Sequence, residues 1–125
     1  MVSRFSPAQL TRALAGLLLS IGTLHFVVPK PFDSLIPKEI PADPRTLTYA
    51  SGVAEIAIGA GLLVPATRKP AAGAAAALFI AVFPANINMV RLWWNMPTIF
   101  KIFAIARLPL QLPMIAAAVK VFRAS

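Results

Sequence analysis

The stretch AAGAAAALFIAVF, residues 71–83, contains thirteen consecutive side chains without a polar group. It follows Pro70 directly and its apolar character continues to about Val90, close to the ~20 residues that a helix needs to cross a bilayer. Three segments of similar length and character lie outside it. The sequence therefore predicts four transmembrane helices, at residues 8–28, 47–66, 71–90 and 102–122.

The composition supports this prediction. Of the 125 residues, 58% are hydrophobic and 13% are charged, whereas soluble domains have about 45–50% apolar and about 25% charged residues. A soluble domain of this size could not bury so much apolar surface. We expect an all-α polytopic membrane protein, an antiparallel four-helix bundle in a lipid bilayer, with residues 1–125 as a single domain.

Composition also excludes several function classes. The net charge of +8 comes from Lys and Arg residues scattered in ones and twos at the ends of apolar segments, which is typical of membrane proteins and not of a nucleic-acid interface. The chain has no cysteine, which removes thiol catalysis, thiolate metal sites and iron–sulfur clusters. The single histidine excludes a bis-histidine haem within one chain, and we expect no metal site.

The three connections between the segments differ in kind. The Pro-rich segment, residues 29–46, contains five prolines and favours extended or turn conformations over helix. Residues 67–70, TRKP, form a short basic turn. The third connection contains Trp93 and Trp94, which are typical of the headgroup region.

Lys and Arg positions predict the orientation. The side that holds both termini carries six of these residues: Arg4, Arg12, Arg68, Lys69, Lys120 and Arg123. The other side carries five: Lys30, Lys38, Arg45, Arg91 and Lys101. Because cytoplasmic loops carry the excess of basic residues, both termini are predicted to be cytoplasmic.

Polar residues inside the apolar segments cluster at one depth. A helix rises 1.5 Å per residue, so the depth of each residue in the bilayer can be counted from the Pro-rich side. This depth is roughly 5 to 15 Å for five polar residues: His25, Asn86, Arg107, Glu55 and Gln111. The remaining half of the bilayer contains almost only apolar residues. We predict that this polar layer lines a cavity open toward the Pro-rich segment, the alternative being a solid polar plug that only sets helix register.

Within this layer, Glu55 and Arg107 are expected on facing helices, as an ion pair or within the reach of one residue. A carboxylate inside a bilayer is costly and normally faces protein or water. Ser51, Gly52 and Gly59 share the helix face of Glu55 and would let another helix approach closely. The alternatives are a protonated Glu55 and an Arg107 that extends to the bilayer surface. Pro84 predicts a kink in the third helix, and Pro109 and Pro113 predict a bend in the fourth.

Four blocks of sequence resemble the DoxX family of small bacterial membrane proteins. They are GTLHFVVPKPFDSLIP at 22–37, YASGVAEIAIGAGLLVPATRKPAA at 49–72, AVFPANINM at 81–89 and ARLPLQLPM at 106–114. The resemblance implies a four-helix bundle in the cytoplasmic membrane, and it includes all five residues of the polar layer. The family is named after a membrane component linked to quinone-dependent sulfur oxidation, and some members are linked to oxidoreductase complexes.

The leading hypothesis is an accessory membrane protein without catalytic activity of its own. Its polar layer would bind a quinone or a lipid headgroup, and a membrane oxidoreductase or a second copy of the chain would be its partner. The alternative is a small dimeric transporter or channel. A third hypothesis, an enzyme with Glu55 as acid or base, has no second carboxylate to support it.

Overall fold

The computed structural model describes residues 4–36 and 38–125, in which helices account for 83% of the structure and no strand occurs. The helices are α1 (Pro7–Val27), α2 (Pro29–Leu35), α3 (Pro44–Leu63), α4 (Arg68–Ala81), α5 (Phe83–Trp93) and α6 (Thr98–Ala124). Four spans are long and apolar enough to cross a membrane, namely α1, α3, α4 together with α5, and α6.

The first turns of α1 and α3 are defined by caps. The Ser6 hydroxyl accepts a hydrogen bond from the backbone N–H of Gln9, and the Gln9 side chain accepts one from the backbone N–H of Ser6. Asp43 accepts in the same way from the backbone N–H of Thr46. A proline follows each cap residue, where its missing N–H has no cost.

The third membrane span is interrupted, as Pro84 predicts. α4 ends at Ala81 and α5 begins at Phe83, so Val82 separates two helices that follow each other directly. A proline in this position has no N–H to donate to the carbonyl four residues earlier, so one backbone hydrogen bond of the helix is lost. The prediction of a kink in the third helix is confirmed. Pro109 and Pro113, in contrast, lie inside an α6 that has no break.

The prediction that the Pro-rich segment is extended or turned is wrong at its start, where α2 forms a short helix. Pro29 and Pro31 fall in the first turn of α2, where backbone N–H groups have no partner within the helix. Prolines are therefore compatible with helix at these positions. The rest of the segment up to Asp43 is turn or irregular, and Pro37 lies outside the described residues.

The apolar core occupies the half of the molecule away from the Pro-rich segment. It joins α1, α3, α4 and α6 through the buried residues Leu10, Leu14, Ala15, Leu18, Leu62, Ala71, Ala72, Ala75, Phe79, Ala117, Ala118 and Val121. α3 packs on α1 and α4, and α6 packs on α4, α5 and α1. No Cα atom of α3 lies within 8 Å of a Cα atom of α6.

Glycines bring α1 and α3 close together. A Cβ atom at Gly22 would lie 3.0 Å from the carbonyl oxygen of Gly52, and one at Gly52 would lie 3.1 Å from that of Gly22. Farther along, a Cβ at Gly59 would lie 3.3 Å from the carbonyl oxygen of Ala15. The predicted close approach of a helix against Gly52 and Gly59 is confirmed, and α1 is that helix.

Candidate functional site

His25 and Glu55 form a buried pair at the α1–α3 contact. His25 lies in the last turn of α1 and Glu55 lies in the middle of α3, and each side chain is 8% exposed. The distance between His25 Nε2 and Glu55 Oε1 is 3.6 Å. The two residues meet because Gly22 and Gly52 have no side chains to separate the helices at this level.

His25 is held by a hydrogen bond to its own helix. Nδ1 lies 2.7 Å from the carbonyl oxygen of Ile21, and since a carbonyl only accepts, Nδ1 donates in this contact. Nε2 then faces the Glu55 carboxyl group. The 3.6 Å between Nε2 and Oε1 is longer than a hydrogen bond, so the two groups lie side by side without a direct hydrogen bond.

The second carboxylate oxygen of Glu55 has no hydrogen-bond partner among residues 4–36 and 38–125. Oε2 is buried and makes no hydrogen bond to any described residue. A buried polar atom without a partner costs about 1–3 kcal/mol, and such atoms in native proteins require an explanation. This oxygen can accept a hydrogen bond from a bound molecule or, when protonated, donate one.

Gln111 is the centre of a second polar group, on α4, α5 and α6. Its Oε1 accepts from Asn86 Nδ2 at 3.1 Å and from Arg107 Nη1 at 2.9 Å. Its Nε2 donates to the carbonyl oxygen of Phe79 at 2.5 Å, close to the break between α4 and α5. Gln111 is fully buried, and its hydrogen bonds join the interrupted third span to α6.

The five predicted residues therefore form two groups and not one continuous set of contacts. The expected ion pair between Glu55 and Arg107 is wrong. Glu55 faces His25, Arg107 contacts Gln111, and no ion pair within 4.0 Å joins Glu55 to Arg107. The reason is the packing order, since no Cα atom of α3 lies within 8 Å of one of α6 and equal depth along two helices does not make them neighbours.

The Pro-rich segment covers the His25–Glu55 pair, a feature that the sequence argument missed. Phe32 of α2 stacks on the His25 ring, with centroids 3.9 Å apart and planes at 19°. Asp33 next to it accepts hydrogen bonds from the Thr48 hydroxyl at 2.5 Å and from Arg45 Nε at 2.8 Å. Thr48 lies two helical turns from Glu55 on the buried face of α3, so α2 lies above the pair.

Further contacts hold the Pro-rich segment against α5. The Asn88 side chain donates to the carbonyl oxygen of Leu35 at 2.9 Å. Arg91 binds both carboxylate oxygens of Glu39, at 3.0 and 3.2 Å, and also donates to Asn88. The Pro-rich segment contains three acidic and three basic residues, which indicates that ion pairs can form there. The sequence does not show which residues pair.

The carboxylates of this segment are stabilised in their charged forms. The hydrogen bond from Thr48, followed by that from Arg45, lowers the pKa of Asp33 below its ordinary value. The hydrogen bonds from Arg91 lower the pKa of Glu39. Both contacts are therefore present at neutral pH.

A half-open cavity of about 540 Å³ lies between the Pro-rich segment and the end of α5. Its lining includes Asp33, Ile36, Ile40 and, from α5, Asn88 and Leu92. None of the five predicted residues lines this cavity, and the prediction that they line a cavity open toward the Pro-rich segment stays a prediction. Asp33 connects the two regions, since it lines the cavity and binds the buried Thr48.

Among residues 4–36 and 38–125, no three His, Asp or Glu side chains lie close enough together to hold a metal ion.

The fold and the two polar groups define an all-helical protein with four spans of membrane-crossing length. The chain belongs to the family described as "Domain of unknown function (DUF8561)", which matches residues 14–122. This range extends from α1 to α6 and contains both polar groups. Comparisons with curated proteins and with solved structures found no match.

Proposed function

We propose that this protein is a DoxX-type, multi-pass protein of the cytoplasmic membrane, in which α1, α3, α4–α5 and α6 form an antiparallel four-helix bundle. Large apolar side chains on all four spans are exposed, for example Leu17, Val53, Ile80 and Ile102 at 39–60%. A surface of this kind is stable against lipid and costly against water.

Both termini are cytoplasmic in this proposal. The excess of Lys and Arg on the side of the termini, six against five, supports this orientation. Reporter fusions after Ser125 and near Glu39 test the orientation. An external C-terminus in most molecules would contradict it.

The function that the geometry supports best is binding of a small amphipathic molecule, a quinone or a lipid headgroup, by the His25–Glu55 pair. The observation that carries this proposal is the buried Oε2 of Glu55, which has no partner among the described residues. A quinone carbonyl accepts a hydrogen bond from a protonated carboxyl or imidazole group, and a hydroxyl group donates one. The apolar tail would lie along the exposed apolar surface of the helices.

The protein acts as an accessory component in this proposal, without catalysis of its own and with a membrane oxidoreductase as its partner. The Pro-rich segment limits access, since Phe32 covers one face of His25. A ligand whose headgroup contacts the pair then lies at the level of α2, near the bilayer surface. The roughly 12 Å depth of Glu55 suits a headgroup that is followed by an apolar chain.

Native mass spectrometry of the protein extracted in mild detergent tests this function. The wild-type chain should retain a small molecule, and Glu55→Gln should remain folded and lose it. Glu39→Gln makes the same chemical change at an exposed ion pair and should retain the molecule. Retention by Glu55→Gln at the wild-type level would refute the proposed site, and a dimer with no bound molecule would favour a small transporter or channel instead.

A further inference from the structure

The end of the molecule opposite the Pro-rich segment carries only basic charged side chains. This basic end comprises Arg4, Arg12, Arg68, Lys69, Lys120 and Arg123. The chain has four acidic residues, Asp33, Glu39, Asp43 and Glu55, and all of them belong to the Pro-rich segment or to the buried pair. The basic end therefore has no side-chain carboxylate to neutralise it.

Contacts at the basic end hold the cations without neutralising them. Arg68 Nε donates to the carbonyl oxygen of Leu62 at 2.8 Å, and Lys120 Nζ donates to that of Phe5 at 2.7 Å. Lys69 Nζ lies 5.1 Å from the centre of the Phe122 ring. Carbonyl oxygens and rings carry only partial negative charge, so these cations keep a net positive charge for an external anion.

Exposed apolar side chains lie among these cations. Phe5, Leu63, Val64 and Phe122 are 44%, 50%, 50% and 39% exposed. Apolar groups that alternate with Lys and Arg are typical of a surface that enters the headgroup and acyl boundary of an anionic bilayer. A soluble acidic partner would leave those apolar groups in water.

We propose that the basic end binds anionic phospholipid headgroups of the phosphatidylglycerol type. The phosphate and its neighbours supply the negative charge that the chain lacks there, and Phe5 and Phe122 lie in the acyl boundary. The opposite end is less basic, because three of the four acidic residues lie there and its Arg45 and Arg91 are already paired with carboxylates. This binding is independent of the proposed His25–Glu55 ligand.

The test is a titration of the purified full-length chain in mild detergent with dioleoylphosphatidylglycerol or dioleoylphosphatidylcholine, read by native mass spectrometry. The wild-type chain should bind the anionic lipid more tightly than the zwitterionic one. Each basic residue near an anionic surface contributes about fivefold in affinity. The double variant Lys69→Gln/Arg123→Gln should therefore bind the anionic lipid roughly 25-fold more weakly. Added salt should weaken the wild-type interaction.

The control is Lys30→Gln/Lys38→Gln, which removes two exposed lysines at the opposite end. It should change the affinity for the anionic lipid by less than about twofold. Equal binding of both lipids by the wild-type chain would overturn the proposal, as would an equal loss in the control variant. Capture of polyglutamate without any lipid preference would also overturn it, because it would identify an acidic protein as the partner.

Discussion

Replacement of Gly22 by alanine tests the close contact that brings His25 beside Glu55. A Cβ atom at this position would lie 2.8 Å from Ile56 Cγ1, 3.0 Å from the Gly52 carbonyl oxygen and 3.1 Å from Glu55 Cβ. Carbon atoms at their optimal separation are about 3.5–4.0 Å apart. Ile56 can rotate away, but the carbonyl oxygen and the Cβ atom move only with the backbone, so α1 and α3 must separate.

The expected loss of stability is obtained by comparison with Gly16, which is also in α1. An added Cβ atom at Gly16 would meet nothing within 4 Å. Both substitutions gain the helix preference of alanine over glycine, up to about 1 kcal/mol. Only Gly22→Ala adds overpacking, which costs about 1–3 kcal/mol. The two variants should therefore differ in free energy of unfolding by about 1–3 kcal/mol, with Gly22→Ala the less stable.

The assay is reversible unfolding of both variants in the same mild detergent, followed by circular dichroism. Since the helix preference is common to both, the difference between them reports the α1–α3 contact. If Gly22→Ala is as stable as Gly16→Ala, the helices do not approach as closely as the structure shows, and the geometry of the His25–Glu55 pair must be abandoned with it.

Three further outcomes are expected. Gln111→Ala removes the partner of the buried Asn86 amide, of the Phe79 carbonyl and of the partly buried Arg107. It should destabilise the protein by about 1–3 kcal/mol for each buried group left unpaired, measured by the same unfolding assay. Wild-type stability would show that the second polar group is not formed. Phe32→Ala uncovers His25, the single histidine, and should speed the modification of His25 by diethyl pyrocarbonate several-fold. The control variant Phe100→Ala should not change this rate. Equal rates in the two variants would exclude the stacked arrangement. Because the pKa of Asp33 is lowered from 3.8, chiefly by the hydrogen bond from Thr48, its contact stabilises α2 above that value and is lost as the pH falls through the lowered pKa. Amide exchange in α2, corrected for intrinsic rates, should rise in acid, and a rate independent of pH would count against this contact.

Local features of the sequence were sufficient to predict the four membrane-crossing spans. Long apolar segments predict four spans, because a backbone in lipid must satisfy its hydrogen bonds within a helix. Pro84 predicts the break of the third span, since proline removes a specific backbone hydrogen bond. Gly52 and Gly59 predict a close helix contact on the face of Glu55. Each of these inferences depends on residues near one another in the chain.

The partners of the polar residues were decided only by the tertiary structure. Depth along a helix follows from residue number, and it grouped His25, Glu55, Asn86, Arg107 and Gln111 at similar levels. Which helices are neighbours does not follow from depth. α1 packs against α3 and keeps Glu55 beside His25, while α5 packs against α6 and joins Asn86 to Gln111. Arg107 reaches Gln111 from one turn away on the same helix.

The position of α2 shows the same limit. Its prolines indicated an irregular connection, yet the first turn of a helix accepts proline without loss of a hydrogen bond. Phe32 and Asp33 then contact His25 and Thr48 on two different helices. The sequence by itself determined the spans, their polar content and the charge of each end. The order of packing around the bundle axis, which sets the side-chain partners on different helices, depends on contacts between residues far apart in the chain, and only the tertiary structure supplies it.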